Sequence, residues 1–178
     1  VPLAFELLAG RVPFVGTNTP ALMYAHVHTP PPPLRTFRPD LPRSLEEVVT
    51  RLLRERNAMF ACAESITGGG VAERMSRAPG SSSIFVGGVV TYSADAKERV
   101  LGVSRQTLDG PGVVSEACAL EMAAGARRLF GADVAVSLTG AAGPEPHGGA
   151  EPGTVWIGLD ADGVRHGLGY VSEGEREQ

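Results

Sequence analysis

The sequence predicts an α/β fold: a mixed sheet covered by helices, preceded by a short helical, proline-rich segment. Three observations carry this. From residue 55, short runs of small and β-branched apolar residues alternate with segments of helical periodicity. The last two of these runs flank a turn signal, Asp160-Ala161-Asp162-Gly163, as an antiparallel hairpin would. Nine of the 14 prolines fall in the first 42 residues, among them Pro30 to Pro33, which force extended backbone and leave no core there. Charge changes at the same place. Residues 1–54 hold six Arg against four acids, and residues 55–178 hold ten basic against 16 acidic groups. The expected organisation is therefore a non-core segment at 1–54 and an α/β domain at 55–178.

The elements follow in order. A helix ends at Gly10, and Thr19-Pro20 opens a second through about His26. Ser44 with Glu47 forms a capping box for a helix from Leu45 to about Arg56, with Leu45, Val48, Val49, Leu52 and Leu53 on one face. Residues 59–63 read as a short buried strand, and a glycine turn opens a helix over 68–78. The run IFVGGVVTY at 84–92 is a strand. Ser93 caps a short helix over 94–101, and Ser115 caps a longer one to Phe130. DVAVSLT at 133–139 is a buried strand, a glycine and proline loop spans 140–153, and strands at 154–159 and 164–171 close the chain.

Composition narrows the function. The chain has 178 residues, 43% of them hydrophobic, and a net charge of −4. That is a globular balance without the basic field that draws nucleic acid. No apolar run approaches the ~20 residues of a membrane span, and no signal peptide opens the chain, so a cytoplasmic protein is expected. Two cysteines, Cys62 and Cys118, make no disulfide framework and no CxxC. His26 and His28 give the one suggestive histidine spacing and read as a plain strand or loop pair. No metal is expected.

One count stands out: 15 Arg against a single Lys, Lys97. Arginine stays protonated in proteins, whereas a buried lysine can lose its proton and act as a base. The plain alternative is composition bias. Three loops then carry candidate chemistry. In Glu64-Ser65-Ile66-Thr67-Gly68-Gly69-Gly70 a strand runs through a polar turn into a helix. Free amides at such a helix start bind anions, and a hydroxyl on the turn can act as nucleophile with those amides as its oxyanion hole. The plain alternative is that Ser65 or Thr67 caps the helix. Lys97 lies on the first turn of the helix that Ser93 opens, where the helix end would lower its pKa. The plain alternative is a solvated lysine beside Asp95 and Glu98. The third loop begins at Thr139-Gly140, where small residues allow close approach of a ligand. All three loops follow buried strands, at whose carboxyl ends ligands gather. Serine and lysine together make a nucleophile and base pair.

The segments AESITGGGVAERMSRAPGSSSIFVGGVVTYSADAKERVLGV, GVVSEACALEMAAGARRLFGADVAVSLTGAAGP and GTVWIGL resemble the C-terminal domain of the CinA family, the nicotinamide mononucleotide deamidase, over residues 52–177. The resemblance implies hydrolysis of the amide of nicotinamide mononucleotide (NMN) to nicotinate mononucleotide and ammonia, without cofactor or metal, in a homodimer or larger homo-oligomer. It makes Ser65 the nucleophile, Lys97 the base and Tyr92 a group that orients the pair or the substrate. It places Thr67, Gly68, Thr139 and Gly140 against the substrate and gives Arg176 to its phosphate. Departures from the family pattern are Ile66 for a usual Cys, Ala141 for a usual Ile, an altered stretch at Glu151-Pro152-Gly153, and Gly174-Glu175-Arg176 for GDR. The family's last helix is expected beyond Arg176, as though the chain were open at that end. Two other classes compete with hydrolysis. One is a non-catalytic nucleotide-binding or regulatory module of the same fold. The other follows from FELLAGRVPF and TPALMYAHVHTPPPPLRTFRPDLPRSLEEVVTRLL, which resemble part of the C-terminal lobe of a bacterial serine/threonine protein kinase and would make residues 1–54 an interaction segment. That stretch carries no Gly-rich loop, HRD-type loop or DFG site, which excludes phosphoryl transfer.

Overall fold

The computed structural model describes residues 45–171. From Val49 on, the described residues belong to one compact unit. The helices expected over the first 30 residues, and Arg176, lie outside the described residues.

Five strands form one sheet in the order β2-β1-β3-β4-β5. Helix α1 (Leu45–Glu55) leads into β1 (Phe60–Glu64), then α2 (Gly70–Arg77), β2 (Phe85–Val90), α3 (Ala94–Leu101), α4 (Arg105–Asp109), α5 (Glu116–Phe130), β3 (Val134–Gly140), β4 (Thr154–Ala161) and β5 (Val164–Val171). β1 lies parallel to both β2 and β3. β4 runs antiparallel to β3 and to β5. The sheet is thus mixed, with its parallel part at the β2-β1-β3 end.

Alternation along β1 splits the core in two. Ala61 and Ala63, with Ala135 of β3, face Leu101, Val103, Cys118, Met122 and Ala126. Phe60 and Cys62 face the other way, toward Leu53, Met75 and Ile84, with Val49 packed beside them. The small residues on the first face let α5 lie close. Gly125 marks where α5 crosses the end of α3, because a Cβ there would collide with the Leu101 carbonyl. On the second face, α1 supplies Val49 and Leu53, and from Val49 on this helix is counted with the α/β unit, a few residues before the expected start at 55.

Two local features differ from the sequence reading. The hairpin turn is tighter than expected: β4 continues to Ala161, leaving Asp162 and Gly163 between the strands. Asp160 is buried in β4 rather than in a turn, because Arg127 Nη1 and Arg165 Nε each donate to its carboxylate at 3.0 Å. A five-residue helix, α4, was not expected. Ser104 caps it by accepting from the Thr107 amide. Glu121 of α5 accepts from the Ser104 amide and from Thr107 Oγ1, both at 2.6 Å, and so fixes it in place. Among the described residues no helix is long and apolar enough to cross a membrane.

Candidate active site

β1 and β2 are neighbours, yet their following helices leave to opposite faces. α2 packs through Val71, Ala72 and Met75 on the Phe60 side, whereas α3 packs through Leu101 on the Ala61 side. Diverging connections open a crevice at the carboxyl ends of the strands. A cavity of about 860 Å³ lies there, lined by Ser65, Ile66, Tyr92, Lys97, Thr139 and Gly140, by Val113 and Val114, and by the loop at 142–147.

Lys97 is 2% exposed. Ser93 Oγ accepts from the Ala96 amide and starts α3, so the lysine sits on the first turn as expected. Its side chain reaches inward rather than to Asp95 or Glu98. Nζ lies 2.8 Å from Ser65 Oγ and donates to the Thr91 carbonyl at 2.8 Å. Among the described residues no carboxylate pairs with it. Burial pushes its pKa below the ordinary lysine value, with the Cys118 thiol a smaller opposing influence. Desolvation therefore does what the sequence reading assigned to the helix end. Both thiols go the other way. Burial lifts Cys62 to about 12 and Cys118 to about 11, so neither is a thiolate near neutral pH.

Ser65 is held on both sides. Its amide donates to the Leu138 carbonyl at 2.9 Å, and its carbonyl accepts from the Gly68 amide at 3.2 Å. The expectation that the amides at the start of α2 stay free for an anion is corrected. Glu64, fully buried, already occupies them. Its Oε2 accepts from the Gly69 amide at 3.1 Å and the Val71 amide at 3.0 Å, and its Oε1 from the Ala72 amide at 2.8 Å. Thr67 Oγ1 also donates to Oε2, at 2.5 Å. Burial alone would raise the Glu64 pKa. The hydrogen bonds from Thr67 and the three amides outweigh it and hold the carboxyl below its usual value. The helix start thus carries its own anion.

The remaining expected residues divide. Thr139 and Gly140 line the cavity. Thr139 Oγ1 donates to the Val113 carbonyl at 2.7 Å and so pins the opposite wall. A Cβ at Gly140 would lie 2.6 Å from the Thr154 carbonyl oxygen and 2.7 Å from Ile66 Cδ1, so glycine keeps this edge open. Thr67 and Gly68 do not line the cavity. The Thr67 hydroxyl donates its hydrogen bond to Glu64 instead. Tyr92 lines the cavity but is 63% exposed, and no hydrogen bond joins it to Ser65 or Lys97. The lysine is oriented instead by the Thr91 carbonyl. Sequence reading missed that contact, as a backbone oxygen leaves no mark in sequence. It also missed Glu64, whose signal was an acid ending an apolar strand immediately before a glycine turn. Among the described residues no group of three or more His, Cys, Asp or Glu is placed to hold a metal ion.

Fold and site together define an α/β domain with a buried serine–lysine pair at the carboxyl edge of its parallel strands. The family model of the CinA C-terminal domain matches residues 42–178, and the chain belongs to that family. A CinA-like protein of Chlorobium limicola is 50% identical over 117 residues, which are 65% of this chain and 27% of that protein. A protein of Bacillus velezensis named as competence-damage inducible is 45% identical over 120 residues, 67% of this chain and 29% of its own length. The matched part is therefore under a third of these relatives. The crystal structure of competence damage-inducible protein A from Klebsiella pneumoniae superposes with a TM-score of 0.71 at 37% identity, covering 74% of this chain and 82% of that one. That of a CinA superfamily protein from Escherichia coli gives 0.72 at 33% identity, covering 74% and 77%.

Proposed function

We propose that this domain hydrolyses the carboxamide of NMN to nicotinate mononucleotide and ammonia, with Ser65 as nucleophile and Lys97 as base. The observation that carries the reading is the 2.8 Å approach of Lys97 Nζ to Ser65 Oγ inside a cavity, with no carboxylate among the described residues to hold the lysine charged. A neutral amine accepts the serine proton along that line while one of its own hydrogens stays on the Thr91 carbonyl.

Ser65 Oγ attacks the amide carbon as its proton passes to Lys97. The Ile66 amide adjoins the nucleophile, belongs to a residue that lines the cavity and has no acceptor among the described residues, so it suits the developing oxyanion. The Ser65 amide is spent on the Leu138 carbonyl and does not serve. When the C–N bond breaks, Lys97 returns the proton to the leaving nitrogen, which departs as ammonia. Water then attacks the serine ester with Lys97 again as base. The ester bond breaks, Ser65 recovers its proton, and the carboxylate leaves. The substrate itself is taken from the family resemblance. Thr139, Gly140 and Tyr92 are assigned to contact it from the cavity wall, and Arg176 to its phosphate.

The test is incubation of the purified chain with NMN while ammonia and nicotinate mononucleotide are measured, beside Ser65→Ala. Product that vanishes in the variant supports the reading. NMN binding without product, from a folded chain, replaces hydrolysis with a binding role.

A further inference from the structure

We infer that Glu64 is a positioning residue, whose buried carboxylate fixes the turn that presents Ser65 Oγ to Lys97. The inference rests on the reading of Ser65 as nucleophile. Glu64 directly precedes Ser65, is fully buried and does not line the cavity. A carboxylate removed from water must be compensated. Here the compensation comes chiefly from the segment that follows, one hydroxyl at residue 67 and amides at 69, 71 and 72, with the Cys62 thiol adding a long contact to Oε1 at 3.7 Å. The N-cap residue Gly69 has no side chain to do this work.

The chain therefore leaves β1 at Glu64, passes through Ser65, and is bound back to the Glu64 side chain within eight residues. Ser65 lies inside that closed ring. With its amide on Leu138 and its carbonyl held by Gly68, its side-chain torsion is the one soft coordinate left. Glutamine at position 64 breaks the ring. It is isosteric, but its NH2 would have to face either the Gly69 and Val71 amides or the Ala72 amide, donor against donor. The turn would shift, and Oγ with it.

The readout is reaction of Ser65 with a fluorophosphonate, in which Oγ displaces fluoride from phosphorus and its proton passes to Lys97. Folded Glu64→Gln is expected to label about tenfold slower, and to lose kcat for NMN with KM held within about twofold. Labelling at the wild-type rate in the folded variant overturns the inference. Thr67→Val tests it without touching the buried acid. One bond of the ring is lost, labelling falls about threefold, and KM stays put. Wild-type labelling of Thr67→Val overturns the inference whatever happens to KM, and a raised KM beside it would restore Thr67 to the substrate. Labelling needs no NMN. A wild-type chain that labels at Ser65 yet releases no ammonia removes the NMN reading alone, and one that does not label removes both.

Discussion

A lysine that is 2% exposed, with no ion partner among the described residues, is under strong pressure to shed its proton. Lys97→Arg keeps a cation that cannot be deprotonated, so ammonia release is expected to fall by about 10²–10⁴-fold while circular dichroism stays native. Activity should also climb with pH, because the base form grows as pH passes the folded pKa, which lies below 10.5. Stability has the same slope. Between the folded pKa and 10.5 the unfolded chain binds a proton that the folded chain does not, so unfolding becomes harder as pH rises. A pH–rate profile of kcat/KM beside urea titrations would reveal both, and a flat profile would remove Lys97 as base. Glu64 has the same sign in an acid window. Its folded pKa lies below 4.5, so its contribution is present above that value and drains away as pH falls through the folded pKa. Glu64→Gln should flatten the acid limb of stability below about pH 4.5.

Among the elements, sequence reading succeeded where periodicity and caps agreed. Ser93 and Ser115 cap α3 and α5 as their positions announced. It failed where a tertiary partner outweighed a local signal. Asp160 belongs to a strong turn tetrapeptide, but two arginines draw it into β4. Asp160→Asn should cost about 1–3 kcal/mol in urea unfolding, since Arg127 keeps a half-buried guanidinium without its charge partner. Helix α4 is five residues long, too short for any periodicity, and Glu121 makes it stable from outside. Gly125 is the complementary case. A methyl there meets the Leu101 carbonyl, so Gly125→Ala should destabilise by about 1–3 kcal/mol despite a better helix propensity. A stabilised variant would mean that α5 can slide away from α3.

For the whole molecule, the lone Lys97 and the serine turn made the two groups that meet in the cavity legible from sequence. What stayed hidden was their setting: the Thr91 carbonyl and the Glu64 ring are bonds between side chains and nearby backbone groups that carry no residue signature, and the wall that Thr139 pins joins residues far apart in the chain. The β2-β1-β3 order, which brings residue 97 to residue 65, follows from packing of both faces rather than from any local run. Since the family match begins at residue 42, removal of residues 1–41 should leave ammonia release within about twofold of the whole chain. A larger loss would give the proline-rich segment a part in catalysis.

The sealed Glu64 carboxylate also bears on ionic strength. At 1 M salt the Debye length is about 3 Å, and exposed pairs such as Arg99–Asp95 are screened. Dissolved counter-ions have no route to a carboxylate whose oxygens are already surrounded by the chain's own donors. The turn that carries Ser65 is therefore set to keep its shape in brine and in dilute buffer alike.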